Sequence, residues 1–400
     1  MKYPITPEYL SGLPDNAVAL YTDLEEWVLE DICRRFRTSG EMTNSAIEQI
    51  KLLKRHGLDE DAINSHIKKT LGKSDEEIDA AWENAIERNQ RYYGEMLTKA
   101  KLTEEVFSDP AMLEEVEAIM RQTKGDFKNL TQSMGFAVRG PDGQITFSPI
   151  AETYQKVLDN AEMKVWSGAT SYEEAIKDAV RQLTASGLQM VDYASGWHNR
   201  VDVAVRRAIM TGASQISAQY SERIGEELET PYFEVSAHSG ARDVDGPNPW
   251  SNHKRWQGKV YSKRRGDKYP CIYDVCGLDK VDGLVGANCR HMYFAFLDGI
   301  SERTYTDEEL ANIDPEPFVY EGREYNAYEA TQKQRQIERA IRKARREVIA
   351  YRAAGLDNDA TDSEIREKRL REIYGSFSKA AKLRKQTNRT RVYDTINRLA

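Results

Sequence analysis

Between His238 and His291 the chain gathers residue types that bind metals and move protons. Three of its four cysteines and three of its six histidines fall there. Cys271, Cys276, Cys289 and His291 follow a Cys-x4-Cys-x12-Cys-x-His spacing. Thiolate and imidazole are preferred ligands of zinc, and four of them close a tetrahedral site. Cys289 and His291, two apart on a strand, point to the same face. The spacing is not that of a regular zinc ribbon, and buried cysteines also act as small hydrophobes. A zinc site therefore stands beside plain packing as an expectation. A second cluster comprises His238, Arg242, His253, Arg255, Arg290 and His291. Converging in an open cleft, a histidine base with an arginine on the developing charge would cleave a phosphodiester. His238, His253 and Arg290 are the candidates for that catalysis. The same residues, if buried, satisfy one another in a hydrogen-bond network that holds a glycine-rich module together. The sequence has no Walker-type phosphate loop, no Gly-x-Ser-x-Gly elbow and no His-Glu-x-x-His.

The frame for these residues is a small module. Tyr232–Ala237 and His291–Phe296 alternate as strands do, and glycines from Gly240 to Gly286 punctuate the stretch between. Helices surround it. Asp15 and Asn16 cap a stripe of Leu20, Leu24, Trp27, Val28, Ile32 and Phe36 that stops near Gly40, with Cys33 a packing residue. Ser45–Glu48 and Ser74–Glu77 read as capping boxes, with helix ends at Gly57 and Gly72. The helix opened by Ser74 is expected to run to about Lys101. Asp109-Pro110 starts another, ended by Gly125. Pro141-Asp-Gly143 turns a hairpin between Phe136–Val138 and Ile145–Phe147. Ser171 caps a helix that Gly187 terminates, and a long helical segment follows from His198 to Glu227. The expected fold class is α+β, predominantly α-helical, with extended helical arms flanking the small α+β module. Its regions are an N-terminal helical region 1–125, a middle helical region 126–230, the module 231–300 and a basic helical tail 301–400.

The chain has 400 residues, 40% hydrophobic and 30% charged, with 12 prolines. That composition suits packed helices with solvated faces. Few cysteines argue against a disulfide scaffold and for a reducing compartment. No apolar run of about 18 residues crosses a membrane, and the first residues lack the apolar core of a secretory signal. The net charge of −8 is uneven: from Glu321 onward there are 20 Lys and Arg against 12 Asp and Glu, a surplus of +8 that leaves −16 on the rest. Such a tail suits an acidic partner, nucleic acid or protein, or a solvated helix face. Within it Ile337, Ile341, Ala344, Val348 and Tyr351 form a narrow apolar stripe. Ile337, Ile341 and Val348, with Arg339, Arg342 and Arg346, are expected to face a partner.

Glu234-Val-Ser-Ala-His-Ser-Gly-Ala-Arg242, His253-Lys-Arg-Trp-Gln-Gly-Lys-Val-Tyr-Ser262 and Gly283-Leu-Val-Gly-Ala-Asn-Cys-Arg-His291 resemble the phage minor capsid protein 2 family, whose module is related to the phage Mu F-type minor head protein. His238, Arg242, His253, Trp256, Gln257, Gly258, Asn288, Cys289, Arg290 and His291 match its signature. Leu13–Gly57 and Tyr328–Arg342 extend the likeness over most of the chain. Here about ten residues, Asp243–Asn252, are inserted into the family's usual spacing as a surface loop. The resemblance implies a virion component at the portal vertex, present in few copies. It would be built into the head with the portal protein and the major capsid or scaffolding protein, and would act in head assembly, DNA packaging or ejection. It carries over no catalytic residues and no cofactor. Two other readings remain: a virion-delivered nuclease or nucleotidyl-modifying enzyme, and a zinc-stabilised DNA-binding module.

Overall fold

A computed structural model describes residues 3–40, 60–131, 134–139, 144–167, 169–191, 198–286 and 289–390. In chain order the helices are α1 (Pro7–Gly12), α2 (Asp15–Gly40), α3 (Glu60–Lys99), α4 (Pro110–Thr131), α5 (Ile150–Trp166), α6 (Tyr172–Ser186), α7 (Val201–Glu227), α8 (Ile272–Val275), α9 (Asp307–Ala311), α10 (Ala327–Ala353), α11 (Asp357–Ala380) and α12 (Thr387–Thr390). The strands are β1 (Met134–Arg139), β2 (Ile145–Pro149), β3 (Gln189–Val191), β4 (His198–Arg200), β5 (Tyr232–Val235), β6 (Val260–Ser262), β7 (Tyr293–Ala295), β8 (Phe318–Tyr320) and β9 (Arg323–Tyr325). The fold is predominantly helical α+β with small antiparallel sheets. Among the described residues no helix is long and apolar enough to cross a membrane.

The chain forms two compact units, each assembled from three separated stretches rather than from consecutive regions. The first comprises Met1–Asn16, Asp75–Phe127 and Val205–Lys333. Its helical part buries Ile78, Trp82, Ala85, Tyr93 and Leu97 of α3 together with Ile209, Ala213, Ile216, Tyr220 and Ile224 of α7. Tyr93 shares a 2.7 Å hydrogen bond with Ser221, whose hydroxyl donates to the Tyr293 carbonyl (2.5 Å) and so links α7 to β7. The sheet runs β6-β5-β7, antiparallel throughout, with Phe233 opposite Tyr261 and Ala295.

The second unit comprises Ala17–Ser74, Lys128–Ala204 and Gln334–Ala400. The expected hairpin forms as β1 and β2, with Phe136 opposite Ser148. Its turn at 141–143 lies outside the described residues, as does the capping box at 45–48. Two short strands the sequence did not announce, β3 and β4, complete a sheet of order β2-β1-β3-β4. Ser171 caps α6 by accepting from Glu174 N, and Gly187 ends it at φ +63°. Helices α10 and α11 pack antiparallel: Gln334 meets Ser378, Glu338 meets Tyr374 and Glu347 meets Arg366.

Three helix boundaries differ from the reading of the sequence. Gly72 and Ser74 do not divide α3. Ser74 is fully buried and its hydroxyl caps nothing. A glycine in a helix interior costs only about 1 kcal/mol, which the packing of Ile78, Trp82 and Tyr93 outweighs. Likewise α4 continues through Gly125 to Thr131. Residues 198–200 pair as β4 before α7 begins.

The apolar stripe of α10 is also corrected. Ile337, Ile341 and Val348 are buried (5%, 0% and 1% exposed) instead of lying open to a partner. α11 pairs with α10 through Gln334, Glu338 and Glu347, and Arg346 donates to the Thr184 carbonyl at 3.1 Å and to Glu25 at 3.3 Å. Arg342 is held by Asp202 at 2.5 Å. Arg339 alone of the three expected partner-facing arginines is exposed.

Candidate functional site

The site lies in the first unit, where β5 and β7 run out into loops. Past β5, Ser236 N donates to the Met292 carbonyl (2.8 Å), and Met292 N donates back to the Ser236 hydroxyl (2.9 Å). This pair of hydrogen bonds brings His238 and His291 together, and their rings stack with centroids 4.5 Å apart. His253 opens a 3-10 turn, His253–Arg255, whose following residue Trp256 packs on both His253 (4.6 Å) and His291 (4.9 Å). The tight path at Gly258 needs glycine: φ is +69°, and a Cβ there would fall 2.3 Å from Leu310 Cδ2.

One oxygen organises the cluster. Gln257 Oε1 accepts from His238 N (3.0 Å), which fixes the amide's orientation, and from His291 Nε2 (3.1 Å). His253 Nε2 donates to the Asp282 carbonyl at 3.2 Å, which also accepts from Arg242 (3.1 Å). Both rings therefore carry their hydrogen on Nε2 and turn the Nδ1 lone pair inward. Cys289 Sγ sits between them, 3.8 Å from His253 Nδ1 and 3.6 Å from His291 Nδ1. His238 Nδ1 donates to the Ser239 carbonyl (2.9 Å), with the Arg290 guanidinium 3.3 Å away and also bonded to the Gly240 carbonyl (3.4 Å). Asp314 closes the outer edge, accepting from Gly240 N at 2.8 Å and pairing with Lys254 at 2.9 Å.

Burial sets the electrostatics. It pushes His238 down to about 3, helped by Arg290, and His253 down to about 4, helped by Arg242. His291 is driven well below its ordinary value, by burial first and then by His238. Burial raises the Cys289 thiol. All four side chains are thus uncharged near neutral pH.

The structure brings His238, His253, Arg290 and His291 of the second cluster together with Cys289 of the first, and adds Gln257, Asp282 and Asp314. It corrects two memberships. Cys271 and Cys276 do not join Cys289 and His291; the third donor is His253, and the group is His253, Cys289 and His291. Cys271 instead bridges Ser262 through its backbone, and the two cysteines flank α8 as buried packing residues. Arg255 is exposed and pairs with Asp245 at 2.9 Å, outside the cluster. Half of the inserted loop's residues are exposed, and the loop is tied down by Asn252, which donates to Asp243 (3.1 Å) and Asp245 (2.9 Å). Asn288 lies outside the described residues. A general base must reach a substrate's proton. Here the imidazoles are 5%, 2% and 1% exposed at positions 238, 253 and 291.

Uncharged, buried and mutually bonded side chains joining the loops of a small sheet define a braced structural module. The family model for phage minor capsid protein 2 matches residues 5–374, and the chain belongs to that family of bacteriophage structural proteins. A structural protein of Lactococcus phage LL-H is 23% identical over 218 residues, 53% of this chain and 53% of that protein. The chain thus spans about half the length of the curated relative it matches. No solved structure matches. Of the residues expected to mark the family, Gln257 and His291 stand at the network's centre, Trp256 forms its wall and Gly258 its turn.

Proposed function

We propose that this minor capsid protein is built into the head at the portal vertex and contacts the portal protein there. We place its basic C-terminal helices on an acidic face of the portal or on packaged DNA. The observation that carries this reading is the exposure of Lys368, Arg369, Lys379, Lys382, Arg384 and Lys385 along α11 and the segment after it. Other cations of the tail are neutralised inside their unit, as Arg342 and Arg346 are. Phosphates and carboxylates both reward such a row. The burial of His238, His253 and His291 supports a bracing role over phosphodiester cleavage, and the purified chain is expected to leave DNA and RNA intact.

The test is incorporation. Lys379→Glu, Lys382→Glu, Arg384→Glu and Lys385→Glu together should leave the chain folded and deplete it from purified heads. Heads assembled without portal protein should lack the wild-type chain. Ordinary amounts of the chain in portal-free heads would overturn the placement.

A further inference from the structure

We propose that His253 Nδ1, His291 Nδ1 and Cys289 Sγ form a binding site for one divalent transition-metal ion of the zinc class. This goes beyond the role in the head, which stands or falls without it. The three donor atoms come from two separate loops and lie within 4.8 Å of one another. Tetrahedral zinc, with Zn–S near 2.3 Å and Zn–N near 2.0–2.1 Å, sets sulfur–nitrogen edges of about 3.5 Å. The observed edges are 3.6 and 3.8 Å. Both sulfur–nitrogen edges are thus close to those the ion requires, and the two nitrogens lie within 4.8 Å of each other.

The outer partners point the same way. Metal-binding histidines donate their second nitrogen to a carbonyl or carboxylate, which fixes the ring and its tautomer. His253 does so to the Asp282 carbonyl and His291 to Gln257 Oε1. The sulfur in turn accepts from His291 N at 3.4 Å, a contact a metal-bound sulfur retains.

The alternative to a metal leaves an imbalance. A thiol has one hydrogen, and two buried lone pairs face it. Cys289 as S–H satisfies one Nδ1 and leaves the other without a donor, which buried polar atoms rarely tolerate. An ion satisfies all three donors at once. One thiolate with two imidazoles selects zinc, cobalt or copper over magnesium or calcium. Among the described residues no fourth protein ligand joins the group, so water is the natural fourth ligand. Bound there, the ion would tie the His253 turn to the Cys289–His291 strand lead and contribute folding energy.

The full chain, made with zinc supplied and then desalted, is expected to hold about one zinc per chain by elemental analysis. Cys289→Ser and His253→Ala should lose it, while Cys271→Ser with Cys276→Ser should keep it. Should the variants not fold, cobalt titrated into metal-stripped wild-type chain decides: one equivalent should give a thiolate-to-cobalt charge-transfer band and tetrahedral visible bands. Folded wild-type chain that takes up no ion, metal retained by Cys289→Ser, or loss on removal of Cys271 and Cys276 would each overturn the site.

Discussion

Gln257 joins two backbone segments through a single oxygen, and its removal is the sharpest test of the network. Gln257→Leu preserves bulk but leaves His238 N and His291 Nε2 buried without an acceptor. Each such group costs about 1–3 kcal/mol, so denaturant unfolding should show a loss of at least about 2 kcal/mol; an unchanged midpoint would mean the cluster braces nothing. A second residue, Glu26 in the other unit, makes stability depend on pH. Burial raises its carboxyl from 4.5 to about 8, against the pull of Arg345. The native state therefore keeps a proton that the unfolded chain releases above pH 4.5, and this contribution to stability is lost as pH rises from 4.5 to 8. Glu26→Gln should stabilise by at least about 2 kcal/mol at pH 8 and be neutral at pH 4. The reverse ordering in thermal scans would contradict this. At this scale the sequence showed the reactive residue types, and three histidines, a cysteine and Arg290 do meet. It did not show that His253 replaces the two other cysteines, because regular spacing reports neighbours along the chain. The donors to Gln257 come from residues 19 and 34 positions away.

Helices were the most legible elements, since a 3.6-residue stripe persists over many turns. The stripe of α2, the cap of α6 at Ser171 and the hairpin of β1 and β2 follow directly from residue order. Strands β3 and β4 are three residues each, too short for alternation to register, and only the finished sheet makes them strands. Gly72 misled for the opposite reason: a local breaker is overruled by the packing that follows it. It is exposed, and an added Cβ meets nothing within 4 Å. Gly72→Ala should therefore raise stability by about 0.5–1 kcal/mol through helix propensity. A loss of stability on that change would show that the helix is broken there. The stripe of α10 carried a further lesson, because a narrow apolar face predicts burial without naming what buries it. Here the stripe is buried, while Arg342 and Arg346 beside it are tied to Asp202 and Glu25. Burial alone would raise the Asp202 carboxyl, yet Arg342 and Arg200 outweigh it and hold it well below the usual carboxylate range.

The whole molecule combines two units with an uneven charge. The acidic excess over the first 320 residues and the basic surplus after them were plain in the sequence, whereas the interleaving of three stretches into each unit was not, since it depends on long-range packing. Duplex DNA binding by the full chain, if it occurs through the basic helices, should weaken steeply with salt, and Lys382→Glu with Lys385→Glu should flatten the log–log slope by about 2. Salt-independent binding, or none, would leave the portal's protein surface as the acidic partner. The most direct measurement is an asymmetric reconstruction of the purified virion: the account predicts a few copies of this chain at one vertex, against the portal, and a chain spread evenly over the shell or missing from the particle would contradict it.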